Sequence, residues 1–304
     1  MTAVSEHRAV GVGPSGIEIA YERLGDPQAP PVLLVMGLAL QMHGWPDGFC
    51  AELTGRGMQV IRFDNRDCGL STHFHDAPVP DLAAARRGDL SSVSYDVSDM
   101  AADTVGLLDA LGLASAHVVG LSLGGAIGQT MAIEHPGRVR SLTSLMSTTG
   151  APGVGRPDPA VLGVLAGPPP ANRAEAVERT VRAVRVMGSP GFPHDEAAVR
   201  ERAARAFDRD YDPLGVARQA VASVASGDRT ALLGAVRVPT LVIHGADDPV
   251  CDVSGGRATA AAVPGAGLTV FEGMGHDLPR ALWPEFASLI AAHVERAERA
   301  PVGG

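Results

Sequence analysis

No lysine occurs in these 304 residues: all 25 basic residues are arginines, set against 34 acidic ones. The formal net charge of -9 argues against the clustered basic face that nucleic acid requires, so no nucleic-acid partner is expected. Arginine without lysine, beside abundant Ala, Gly and Pro, reads as the mark of a GC-rich coding sequence. Cysteine is scarce, and Cys50, Cys68 and Cys251 stand far apart. With no CxxC pair and no Cys/His cluster, structural zinc is not expected; reduced thiols in a cytoplasmic protein are the simplest account. Long apolar runs are missing too. The longest, residues 32–40, contains Gly37 and falls far short of the roughly 20 residues that cross a bilayer. No membrane partner is expected, and residues 1–12 lack the basic-then-apolar pattern of a secretory signal.

What is present is an alternation of short apolar strands and amphipathic helices, the pattern of a mainly parallel sheet covered on both faces. Residues 17–21 alternate at period two and are expected to pair with a strand at 9–12. Residues 31–35 and 58–64 read as buried strands around a helix at 45–56, whose Pro46 is tolerated in the first turn. A long helix is expected at 94–112, with Asp96, Ser98 or Asp99 as N-cap. A strand at 117–119, a helix at 123–134 and a strand at 142–146 follow. The pattern then breaks. Residues 150–170 are rich in Gly and Pro and read as a connector. Three helical stretches come next, at 172–187, 195–210 and 214–226. Strand-and-helix order resumes at 238–243 and 268–271 and closes on a helix at 283–299. The expected organisation is an α/β core of residues 1–150 and 236–304, with a helical insertion at 151–235.

Gly120-Leu-Ser122-Leu-Gly124 is a G-x-S-x-G motif between a strand and a helix. In that context the serine stands on a sharp turn, and the glycines remove Cβ atoms that would collide with neighbouring backbone. The turn aims Ser122 Oγ at a helix N-terminus, where free N–H groups favour negative charge. Ser122 is the expected nucleophile, and the N–H of Leu123 one expected donor to an oxyanion.

A serine hydroxyl needs a base. Of ten histidines, His276 lies in the loop directly after the 268–271 strand, at the carboxyl edge of the sheet, where open α/β sheets build their sites. His117 begins a buried strand at the opposite end and reads as structural. His244 ends the 238–243 strand and fits either packing or the pocket. His73 and His75 flank Phe74, but no third ligand is spaced nearby, so no metal site is expected. The base needs an acid to orient it. Asp247 and Asp248 both follow the 238–243 strand, and sequence physics does not separate them.

Over nearly its whole length the chain resembles the α/β-hydrolase superfamily. The resemblance is carried by Val35-Met-Gly-Leu38, Asp64-Asn-Arg-Asp-Cys-Gly-Leu-Ser71, Gly120-Leu-Ser-Leu-Gly-Gly125, Gly245-Ala-Asp-Asp-Pro249 and Gly273-Met-Gly-His276, in the family's order. It implies a Ser122…Asp248…His276 triad, since the family's acid precedes the proline of the Asp-Pro turn. It also implies a second oxyanion donor at the Leu38 N–H, with Gly37 shaping that loop. Residues 37–49 and 64–72 are similar to aclacinomycin methylesterase and related bacterial serine esterases, which are cofactor-free and cleave a carboxylic ester beneath a helical cap. Two departures stand out: Met36-Gly37 where many relatives have His-Gly, and Arg66-Asp67-Cys68-Gly69 where many have Arg-Gly-x-Gly.

The expected substrate is a small-molecule apolar ester, with a methyl ester of a bulky apolar acid as its specific form. Trp45, Leu40 and Gln41 are candidate lining residues, as are Met187, Phe192, Phe207 and Tyr211 of the insertion. The same triad serves C–C bond hydrolases and cofactor-free perhydrolases. A non-catalytic receptor on this scaffold is the alternative of another class.

Overall fold

The computed structural model describes residues 6–165 and 167–299. Eight strands form one sheet: β1 (His7–Val12), β2 (Ile17–Leu24), β3 (Pro31–Val35), β4 (Gln59–Phe63), β5 (Ala116–Leu121), β6 (Val139–Leu145), β7 (Thr240–Gly245) and β8 (Gly267–Phe271). Their spatial order is β1-β2-β4-β3-β5-β6-β7-β8. The first two join antiparallel, and every pairing from β4 to β8 is parallel. Parallel strands need crossovers, and these are helices: α1 (Asp47–Thr54), α2 (Leu82–Arg86), α3 (Val97–Ala110) and α4 (Leu123–Glu134) among them.

Alternation within each strand assigns the two faces. Leu33 and Val35 point into a core with Met100 and Leu107 of α3 and Ile127 and Met131 of α4. Val32 and Leu34 point into the other, with Phe49 and Leu53 of α1 and with Phe286 and Ile290 of the closing helix. Asp96 caps α3 through a box with Asp99: each carboxylate accepts an N–H from the other residue, which satisfies donors the helix leaves free.

Between β6 and β7 lie α5 (Pro159–Leu165), α6 (Arg173–Met187), α7 (Glu196–Arg209), α8 (Pro213–Ala225) and α9 (Thr230–Leu233). The last helices are α10 (Ser254–Ala262) and α11 (Trp283–Arg299). α5 corrects the connector expected at 150–170: Asp158 Oδ1 accepts the Ala160 N–H at 2.7 Å, and Pro159 occupies a first-turn position where its missing N–H costs nothing.

A buried charge pair holds the segment that leads into α1. Arg62 of β4 donates to Glu22 of β2 and to the Trp45 carbonyl at 2.6 Å. Burial alone would raise the Glu22 carboxyl, but contacts from His43 and Arg62 outweigh it and bring its pKa to about 2. A depressed carboxylate contributes stability above its unfolded pKa, near 4.5, and loses it as pH falls through the folded value. Urea midpoints should therefore drop between pH 4.5 and about 2, and Glu22→Gln should flatten that slope while lowering stability at pH 7.

Candidate active site

β5 through β8 are parallel, so the loops leaving them open on one edge of the sheet. Ser122 follows β5 at φ 55°, ψ −116°, a strained conformation for a residue with a Cβ and one that clusters at functional sites. What over-determines it is close packing. A Cβ at Gly120 would strike Gly124, and one at Gly124 would strike the Val35 carbonyl. The Ser122 N–H donates to the Leu145 carbonyl at 2.9 Å. Leu123 opens α4, so its N–H lies in the first turn, without an intrahelical acceptor.

Asp248 and His276 meet: His276 Nδ1 lies 2.7 Å from Asp248 Oδ2. Asp248 is buried, and its other oxygen accepts the Val250 and Cys251 N–H groups, each at 2.9 Å. Those bonds fix the carboxylate and stabilise its charge. Asp247 is exposed and does something else: its Oδ2 accepts the Gly273 N–H at 2.8 Å, bracing the loop ahead of the histidine. His244 is fully buried beside Asp248. It donates from Nε2 to the Cys251 carbonyl at 2.7 Å, and burial holds its pKa below the usual imidazole range. α10 packs over it, and a Cβ at Gly256 would collide with the ring.

Gly37 lies against the serine: a Cβ on it would stand 3.2 Å from that of Ser122. The next turn is held from the insertion. Ala39, at φ 65°, donates its N–H to Gln219 Oε1 at 3.1 Å, and Gln219 Nε2 donates to the Arg66 carbonyl at 2.7 Å. Leu38 and Leu40 around it are 37% and 48% exposed. Asp67 sits at φ 60° and forms two 2.8 Å bonds with Arg218 of α8. Gln41 does not face open space: it donates to the Ala206 carbonyl at 2.8 Å and accepts from Arg209 at 3.0 Å. Trp45 is fully buried under α1, stacked on Phe49 at 5.7 Å. Phe207 and Tyr211 stack on each other at 4.9 Å.

Sequence reasoning missed the mount of His276. Its N–H donates to the Met187 carbonyl at 2.7 Å, and Gly191 donates to the Gly273 carbonyl at 2.8 Å. Fully buried Ser189 accepts the Gly275 N–H at 2.9 Å and donates to Asp277. Phe192 packs against the core cluster below. Gly191 and Gly273 approach so closely that a Cβ on either would strike the other's Cα, and this contact is the signal the sequence carried. Glu6, Glu22 and His43 also converge, but Arg205 lies 2.8 Å from His43 Nε2, so the imidazole nitrogen that would ligate an ion already faces a guanidinium.

Fold order, strained serine turn and carboxylate-bound histidine together define one class. The chain belongs to the alpha/beta hydrolase fold family, which matches residues 30–279. It is similar to rhodomycin D methylesterase DauP of Streptomyces sp. (strain C5), at 31% identity over 91% of this chain and 94% of that protein. Rhodomycin D methylesterase DnrP of Streptomyces peucetius is 32% identical over the same shares. Among solved structures, a hydrolase from Pseudomonas aeruginosa PA01 superposes with a TM-score of 0.68 at 26% identity, covering 98% of this chain and 99% of its own. A meta-cleavage product hydrolase from Pseudomonas fluorescens IP01 shares the fold, with a TM-score of 0.74 at 18% identity over 97% and 98% of the two chains.

Proposed function

We propose that this chain is a carboxylic ester hydrolase working through an acyl-serine on Ser122, with His276 as base and Asp248 as its orienting acid. The observation that carries the reading is the 2.7 Å Asp248–His276 pair on the sheet edge where Ser122 is held in a strained turn. With Nδ1 engaged by the carboxylate, Nε2 is the nitrogen free to take the serine proton. The Leu38 and Leu123 N–H groups would hold the oxyanion, each worth about 2.7–4 kcal/mol in the transition state. The alcohol leaves first; water activated by His276 then releases the acid.

Likeness to two methylesterases over nine-tenths of the chain makes a methyl ester of a bulky apolar acid the preferred substrate. The exposed Leu38 and Leu40 beside the oxyanion loop suit that ligand. Residues 151–235 act as a lid over the site, with Met187 and Phe192 at its inner margin, and exclude water from the acyl-enzyme. No described helix is long and apolar enough to cross a membrane.

A nitrophenyl ester series of rising acyl length, run beside a fluorophosphonate label, tests this. The expected result is turnover of esters together with covalent labelling at Ser122. Labelling without ester turnover would favour C–C or perhydrolase chemistry; neither signal would sink the catalytic reading.

The same mechanism makes Ser189 a positioning residue for His276. Ser189→Ala strips the Gly275 N–H of its acceptor and frees the histidine loop. The expected outcome is a fall in kcat of about tenfold or more, with KM nearly unchanged, because a loosely held base costs the transition state and not ground-state binding. Ser189→Thr, which keeps the hydroxyl, should recover part of the loss.

A further inference from the structure

His73 and His75 find a third donor that their spacing did not offer: Asp212, 139 residues beyond His73 at the N-cap of α8. The imidazoles lie nearly parallel, 8° apart in plane with centroids at 5.3 Å. Both turn Nδ1 toward the same oxygen, Asp212 Oδ2, at 2.9 Å for His73 and 3.9 Å for His75. All three donor atoms lie within 4.8 Å of one another.

Outer contacts fix the two inner residues. His73 donates from Nε2 to the Gly69 carbonyl at 3.0 Å, which leaves Nδ1 as the atom available for coordination. A carbonyl on the far nitrogen is how ligating histidines are held in one tautomer. Asp212 accepts the Leu214 N–H through Oδ1 at 3.0 Å, and Arg218 steadies Oδ2 at 3.1 Å. The His73 and Asp212 side chains are 11% and 12% exposed, whereas His75, at 73% exposed, lies on the solvent side of the group.

Charge points the same way. Arg209 pairs with Glu6 and Asp64, Arg218 pairs with Asp67 and Asp212, and Asp210 lies 3.5 Å from His73 Nε2. Carboxylates outnumber guanidiniums there. A divalent cation would offset that excess.

We propose that His73, His75 and Asp212 bind a divalent transition-metal ion of the zinc class, through two imidazole nitrogens and one carboxylate oxygen. Such donors suit zinc, cobalt or nickel and leave a position for water. The ion displaces the Nδ1 proton of His73 and ties the core loop to the first turn of α8. Its role is to clamp the insertion to the core.

The test uses tag-free full-length protein stripped with chelator, titrated with cobalt(II) and read by visible absorption. Melting with and without zinc runs in parallel. The expected result is one equivalent of cobalt with a visible band, and a rise in Tm of several degrees in excess zinc. His75→Ala should melt like the unmodified chain without metal, since that ring is mostly exposed, yet bind at least about tenfold more weakly. Asp212→Asn, which keeps the cap on Leu214, should lose the band as well. A chain with no cobalt band and no zinc shift would overturn the proposal. So would equal binding by the His75→Ala variant, which would leave His73 and Asp212 as a proton-bearing ion pair.

Discussion

Ser122→Ala is expected to lower ester turnover by about 10⁴ to 10⁶ while the chain folds as before, and His276→Ala to do the same. The two losses should not add, because a serine without its base and a base without its serine remove one step. The fold should survive because main-chain contacts hold both residues in place. The Ser122 N–H donates to the Leu145 carbonyl, and the His276 N–H donates to the Met187 carbonyl. Alanine at 122 even keeps a Cβ, so the strained backbone is not relieved. The measurement is single-turnover hydrolysis of a nitrophenyl ester, with circular dichroism as the folding check. A Ser122→Ala variant that retained tenth-level activity would move the nucleophile elsewhere.

Asp248→Asn should cost about 10⁴ in kcat, and Asp247→Asn less than about tenfold. The reason lies in what each oxygen touches. In Asp248→Asn the side-chain carbonyl can still accept the Val250 and Cys251 N–H groups, which turns the amide NH2 toward His276. Nδ1 must then become an acceptor, so the ring proton moves to Nε2, the atom that should receive the serine proton. Asp247 only accepts the Gly273 N–H, a role an asparagine carbonyl can fill. Parallel kinetics on both variants decide between the two aspartates, and a damaging Asp247→Asn with an active Asp248→Asn would reverse the assignment.

That pair also shows how far a sequence reaches. Local pattern placed both aspartates after a strand and His276 after the next, because apolar period and turn residues are local properties. Separating Asp248 from Asp247 needed either family likeness or the burial of one carboxylate, and burial belongs to the fold. Trp45 illustrates the converse. Its place after the oxyanion loop suggests a pocket residue, yet the turn of α1 carries the indole beneath the helix onto Phe49. Asp67, where many relatives have glycine, becomes intelligible once Arg218 is seen gripping it at positive φ: the ion pair stabilises a backbone that glycine would adopt freely. Ser189, Gln219 and Asp212 were invisible for one reason. Each acts on a partner far away in the chain, and no periodicity reports such contacts.

The insertion is fastened to the core at several places: by residues 155–158 to the loop after β7, by residues 187–191 to the histidine loop, and by Arg209, Arg218 and Gln219 to the loops after β3 and β4. A cover riveted at several points would not swing on a hinge. Traffic in and out would then follow small shifts of side chains over the Ser122 edge, not a swing of the whole insertion. The tempo of product escape would follow how readily those side chains yield, and bulkier guests would be taxed on departure more than on chemistry.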